Sequence, residues 1–183
     1  WNIINIVNME LKIKKLSDKA IMPIRAHNSD AGLDLTTTSV TSEINECGQF
    51  ILVYHSDIAV EIPDGYVGLL FPRSSIAKKS IQFTNAVGVI DSGYRGEIIA
   101  KVRNTSGDSI PAVYKVGEKF AQLVIVPYVS DITISEVSEL QESDRGTDGY
   151  GSSDTKEDIS AAKQSDASED KQAVEVETSE TAA

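Results

Sequence analysis

Short alternating or apolar stretches separated by turn clusters recur along this chain. Glu10-Leu11-Lys12-Ile13-Lys14-Lys15-Leu16 has the rhythm of a half-buried strand. Leu33-Asp34-Leu35 opens a second strand-like run that continues through three threonines. Residues 50–54, 58–62, 66–71, 120–126 and 131–137 predict further strands, bounded by turn clusters such as Pro63-Asp64-Gly65 and Asn104-Thr105-Ser106-Gly107-Asp108. Residues 76–80 predict one short helical turn capped by a serine hydroxyl. No long segment has helical periodicity, so the pattern predicts an all-β sandwich, jelly roll or barrel.

The most distinctive stretch is Asn85-Ala86-Val87-Gly88-Val89-Ile90-Asp91-Ser92-Gly93-Tyr94-Arg95-Gly96-Glu97. Apolar runs on either side of Asp-Ser-Gly predict a β-hairpin with a carboxylate at its tip and a phenol on its return strand. Its glycines leave room for backbone to approach a ligand closely.

Composition narrows the choices. A chain of 183 residues suits one domain. The single Cys47 forms no intrachain disulfide and fits a reducing compartment, so a cytoplasmic rather than secreted protein is expected, or one in the host cytoplasm if the source is viral. No stretch approaches a membrane span. The net charge of -11 argues against nucleic acid as a partner. It leaves room for a small anion held by a few placed cations or by a metal ion.

The charge is also uneven. Residues 154–183 hold nine acidic against three basic residues and almost no bulky apolar ones, which predicts a disordered acidic tail. Either the tail only solubilises the chain or it binds a partner of unknown identity. Residues 141–153, with Arg145-Gly146-Thr147-Asp148-Gly149-Tyr150-Gly151-Ser152-Ser153, predict a flexible glycine-rich arm. Met9 stands just before the first strand and would serve as a start, making residues 1–8 an N-terminal extension and residues 9–140 the β domain.

Five local patterns carry candidate chemistry: Asp30-Ala31-Gly32-Leu33-Asp34-Leu35, Pro72-Arg73-Ser74-Ser75-Ile76-Ala77, the stretch around Asp91, Gly117-Glu118-Lys119-Phe120-Ala121-Gln122-Leu123, and the arm. Taken singly each is ordinary: Arg73 reads as a solvated cation and Gln122 as a strand residue. Together and in this order they resemble the five motifs of the trimeric dUTP pyrophosphatase (dUTPase) family, over roughly residues 11–153.

That resemblance implies a jelly-roll homotrimer with a swapped C-terminal arm, splitting dUTP into dUMP and pyrophosphate with Mg²⁺. It implies that Asp91 activates the attacking water. Arg73, Ser74 and Ser75 would bind phosphate, Gln122 would contact phosphate or help place water, and Asp34 would hold magnesium-bound waters. Asn85 and the Gly88, Val89 and Ile90 backbone would read uracil, and Tyr94 would lie under the deoxyribose. Arg145, Tyr150, Gly151, Ser152 and Ser153 would close over the nucleotide.

The residue chemistry suits this reaction. A carboxylate can take a proton from water, and an arginine binds phosphate oxygens in pairs. The arm departs from the family pattern where Tyr150 replaces phenylalanine and where Asp148 and Asp154 replace glycines. Two other readings share the fold. One is the related dCTP deaminase, which has a similar Arg-Ser-Ser but usually lacks the Asp-Ser-Gly-Tyr stretch. The other is a nucleotide-binding regulatory protein.

Overall fold

Alternating stretches become strands wherever a neighbouring strand is available to complete their hydrogen bonds. The computed structural model describes residues 9–106 and 113–147. It divides into two units, 1–133 and 134–183. Within the first unit the described strands are β1 (Lys12–Lys15), β2 (Leu33–Thr36), β3 (Ser39–Ile44), β4 (Phe50–Glu61), β5 (Tyr66–Pro72), β6 (Ile81–Phe83), β7 (Gly88–Ile90), β8 (Glu97–Asn104) and β9 (Lys119–Pro127). A 3₁₀ turn spans Ser74–Lys78.

The strands form two antiparallel sheets, giving the all-β jelly-roll architecture. One sheet runs β1-β4-β8-β6, with β3 also pairing with β4. The other runs β2-β9-β5-β7. Leu35, Leu70, Phe120 and Leu123 from the second sheet pack with Tyr54, Ile58, Ile98 and Val102 from the first.

Tyr54 ties the sheets together. It is fully buried, and its ring stacks on Phe120 at 5.5 Å between centroids. Its hydroxyl accepts the Tyr114 backbone N–H at 3.1 Å and donates to the Tyr114 carbonyl at 3.4 Å. A polar group at the centre of the core is thereby satisfied, as burial requires. Burial pushes the Tyr54 phenol above its ordinary pKa, and the bond to the Tyr114 backbone only partly offsets this.

Several elements differ from the pattern-based expectation. Residues 50–54 and 58–62, read as two strands, belong almost entirely to the single long β4, whose pairing with β8 is irregular between His55 and Ala59. The run through the threonines is two strands: β2 lies in one sheet and β3 in the other. Thr37 and Thr38 turn the corner between them, buried but bonded to the Glu118, Ser39 and His55 backbones.

The 3₁₀ turn begins earlier than predicted, so its N-cap falls on Arg73 with no side-chain cap, and Ser75, inside the turn, bonds the Tyr114 hydroxyl instead. Residues 131–137 have strand periodicity but form no strand. Alternation alone does not hold a strand, and no partner for this segment exists among the described residues.

Candidate active site

Sheet order brings three of the five motifs together. β9 lies between β2 and β5, so Gln122 stands opposite Asp34 on one side and Phe71 on the other. The Gln122 amide donates to the Pro72 carbonyl at 3.1 Å, tying the fourth motif to the second. Gly32 completes the fit: a Cβ there would lie 2.5 Å from Gln122 Oε1. Asp30, Gly32, Asp34, Arg73, Ser74 and Gln122 line a shared cavity of about 360 Å³.

Asp34 is the electrostatic centre of this region. Only 8% exposed, it takes a bond from Arg73 Nε on one oxygen and from Lys119 Nζ on the other, both at 2.8 Å. A carboxylate this buried needs such partners, since an uncompensated charge costs about 3–5 kcal/mol. Arg73 Nη1 also reaches the Lys119 carbonyl at 3.5 Å.

Sequence reading left Lys119 without a role. The reason is a register shift in the β2–β9 pairing: Leu35 pairs with Ala121, but Thr36 pairs with Lys119. Phe120 is the extra residue. Strict alternation puts Lys119 on the face opposite Gln122, whereas the bulge returns it to the same face. Consecutive buried residues, Phe120 and Ala121, are the signature of that bulge.

The two serines of the second motif part company. Ser74 lines the cavity with Arg73 and Gln122. Ser75 meets the Tyr114 hydroxyl at 2.9 Å and lines a different cavity of about 550 Å³, with Lys78, Lys79, Glu118 and Lys119. Arg73 borders both cavities. The core Tyr54–Tyr114 pair thus supports Ser75 from below.

The stretch around Asp91 is not a hairpin. β7 pairs with β5 in the four-stranded sheet, whereas β8 pairs with β4 and β6 in the other. Residues 91–96 therefore carry the chain from one sheet to the other. The Tyr94 N–H closes a turn onto the Asp91 carbonyl at 3.0 Å, and Arg95 Nη1 clamps the Ser92 and Tyr94 carbonyls.

Asp91 and Tyr94 are exposed. They line a cavity of about 130 Å³ with Val89, Ile90, Glu97 and Ile99. Gly88 packs against Leu70, where a Cβ would come to 3.1 Å. Asn85 Nδ2 donates to the Val87 carbonyl at 3.2 Å. β7 is an edge strand, so one side of its backbone faces away from β5.

No residue lines both the Asp91 cavity and the Arg73–Gln122 cavity. One chain therefore assembles its site residues in two separate groups. Arg145 lies in the second unit, in a turn closed by the Gly146 N–H on the Ser143 carbonyl. Tyr150, Gly151, Ser152 and Ser153 lie outside the described residues.

The family model for dUTPase matches residues 18–154. The chain belongs to the dUTPase family. The deoxyuridine 5'-triphosphate nucleotidohydrolase of Clostridium acetobutylicum is 41% identical over 149 residues, covering 81% of this chain and 99% of that one. Among solved structures, a mutant dUTPase of Staphylococcus bacteriophage 80alpha with dUpNHpp is 32% identical, with a TM-score of 0.65, covering 80% of this chain and 99% of its own. A mutant dUTPase of phage phi11 of S. aureus, solved to describe coordination of a structural Mg(II) ion, is 30% identical, with a TM-score of 0.59, covering 71% of this chain and 97% of its own. In this dUTPase-family chain all five motifs fall within the matched span.

Proposed function

We propose that the protein hydrolyses dUTP to dUMP and pyrophosphate, at a site completed by more than one copy of the chain. One observation carries this reading. Arg73, Gln122 and Asp34 converge in one cavity, while Asp91 and Tyr94 stand exposed around another. A homotrimer is the family's arrangement and would bring one copy's Asp91 to another copy's Arg73.

In this mechanism Asp91 orients a water and takes its proton as the water oxygen attacks the α-phosphorus. The new P–O bond leaves the phosphate on dUMP. The bond from the α-phosphorus to the bridging oxygen breaks, and pyrophosphate departs with the electron pair. Arg73 binds phosphate oxygens through its terminal nitrogens, as guanidinium geometry favours. Lys119 keeps Asp34 neutralised when Arg73 turns toward substrate. Ser74 and Gln122 complete the phosphate contacts, and Ser75, through Tyr114, steadies the turn that carries them. By the resemblance to the family, Arg145 and residues 150–153 would close over the nucleotide.

Uracil is read by backbone. The outer edge of β7 presents alternating N–H and C=O groups, with Asn85 beside it. Uracil's N3–H and carbonyls match such a row. Cytosine reverses the pattern and leaves buried groups unpaired, at about 1–3 kcal/mol each.

The residues fit a magnesium ion that arrives on the triphosphate. Among the described residues no three His, Cys, Asp or Glu side chains converge as a cage, and both Asp34 oxygens already meet cations. Asp34 would meet the ion's water shell rather than the ion itself. When bound, the ion offsets the charge of the polyphosphate.

The test is pyrophosphate release from dUTP, dTTP, dCTP and UTP with Mg²⁺, together with sedimentation. Fast release from dUTP alone by a trimer supports the reading, and an active monomer refutes the shared site. Ammonia release from dCTP would favour the deaminase reading. Tight dUTP binding without turnover would favour a regulatory protein.

A further inference from the structure

Glu97 closes the Asp91 stretch and opens β8, and it has an unusual number of ties for a residue at a strand end. Its Oε1 accepts the Asp57 backbone N–H at 2.8 Å. Its Oε2 meets His55 Nδ1 at 3.0 Å. His55 Nε2 in turn meets Thr41 Oγ1 at 2.9 Å. The carboxylate is thus held from β4, and through His55 from β3, and its side chain is only 23% exposed.

The backbone under it is distorted to make this possible. Asp57 has φ +52, the one non-glycine residue with positive φ among the described residues. It sits where the β4–β8 register breaks between His55 and Ala59. A regular ladder would bond the strands without a non-glycine residue in this strained region. The distortion is pinned on every side. The Leu16 N–H bonds to the Asp57 carbonyl at 2.8 Å. The Ser17 hydroxyl bonds to the Asp57 carboxylate at 2.5 Å. The Ser56 hydroxyl bonds to the Ile98 carbonyl at 2.6 Å.

On its other side Glu97 touches the site. The Tyr94 hydroxyl donates to the Glu97 carbonyl at 3.0 Å. The Tyr94 ring folds over Gly96 so closely that a Cβ there would collide with it. The phenol is therefore docked on the Glu97 backbone, while the Glu97 carboxylate is tied to the Asp57 N–H and to His55. Glu97 also lines the Asp91 cavity.

We infer that Glu97, held by the Asp57 N–H and His55, is a positioning residue that sets the Tyr94 ring and with it the discrimination between deoxyribose and ribose. This rests on the proposed dUTP reading for its substrate. An unsupported Tyr94 would swing and admit a 2′-hydroxyl.

Glu97→Gln retains the required acceptor for Asp57. Its amide can donate to His55 Nδ1 when the ring carries its proton on Nε2 and donates to Thr41, so the geometry survives. Glu97→Ala loses both bonds.

The experiment has two arms on the full chain. The first is kcat/KM for dUTP and for UTP with Mg²⁺. The second, without nucleotide, is amide hydrogen exchange of the peptide covering residues 88–97 against that covering residues 119–127. Glu97→Ala is expected to lower the dUTP-to-UTP ratio about tenfold, equivalent to the loss of about 1.4 kcal/mol. It should also speed exchange in 88–97 alone. Glu97→Gln should restore both, and Tyr94→Phe added to Glu97→Ala should lower the ratio no further.

The inference is overturned if the ratio and the local exchange match the wild type. It is equally overturned if exchange rises alike in both peptides, the mark of a purely structural role. A wild type that does not hydrolyse dUTP would sink the functional reading alone, because the exchange arm still decides whether Glu97 holds the Tyr94 loop.

Discussion

The Asp34 cavity and the Asp91 crossover hold their functional residues by opposite means. Around Asp34, side chains from two adjacent strands and the residue following a third lock one another through ion pairs and the Gln122–Pro72 bond. Around Asp91, a loop between sheets is shaped mostly by backbone carbonyls, and its carboxylate faces solvent. The first region is assembled within one chain, and under the proposed reading it serves as the anion receptor. The second is complete only as a displayed tip. A receptor needs fixed charges, so it sits inside a sheet. Under the proposed reading, the Asp91 carboxylate must instead reach a phosphate held by another copy, which suits its projection into solvent.

The sharpest way to break this comparison is Asp91→Asn. Its exposure means the fold should be untouched, with an unchanged melting temperature. Loss of a proton acceptor should lower kcat by about 10²–10⁴-fold. Wild-type turnover in this variant would remove Asp91 from the chemistry.

The division between regions can be tested by mixing. Asp91→Asn and Arg73→Ala chains should each be nearly inactive alone. Co-refolded, they should recover a measurable part of wild-type pyrophosphate release, because some sites then combine one chain's intact Asp91 with another's intact Arg73. No recovery would place both residues in one chain's site.

Within the receptor, Lys119→Met removes one of the two cations on Asp34. A charged hydrogen bond of this kind contributes about 1.5–3 kcal/mol, so chemical denaturation should show a loss of that order. KM for dUTP should also rise, because Arg73 is then held more tightly by Asp34. A variant as stable as the wild type would show that Arg73 alone suffices.

The smallest effect concerns the core beneath Ser75. Tyr54→Phe leaves the Tyr114 N–H without its acceptor and should cost about 1–3 kcal/mol. It should also change the alkaline limb. Burial raises the Tyr54 pKa in the folded chain, so above about pH 10 the unfolded chain releases a proton that the folded chain keeps. Stability therefore falls as pH rises past that point, and the fall should be shallower in Tyr54→Phe. Denaturation midpoints at pH 8 and pH 10.5 would measure both.

Much of this molecule was legible before its structure. Period-two alternation located β1, and apolar runs bounded by turn clusters located β4, β5 and β9, because a strand packed on a core shows one pattern or the other. Asp34, Arg73, Gln122 and Asp91 are ordinary when taken singly, and it was the resemblance of their motifs, in that order, to the dUTPase family that marked them as candidate chemistry. What alternation could not supply was partnership. Residues 131–137 alternate as the β1 stretch does, yet form no strand among the described residues. The apolar runs flanking Asp91 look like the arms of a hairpin, yet they belong to different sheets.

By itself, then, the sequence determined that the chain is all-β, where most strands run, and which side chains bring acid, base and amide chemistry. Tertiary structure alone decided that Lys119 joins Asp34, that Ser75 turns toward Tyr114, and that Asp91 projects from a crossover. Each of these depends on a bulge, a register or a sheet assignment. Those are set by pairing between residues distant in the chain, where a shift of one position reverses the face on which a side chain lies.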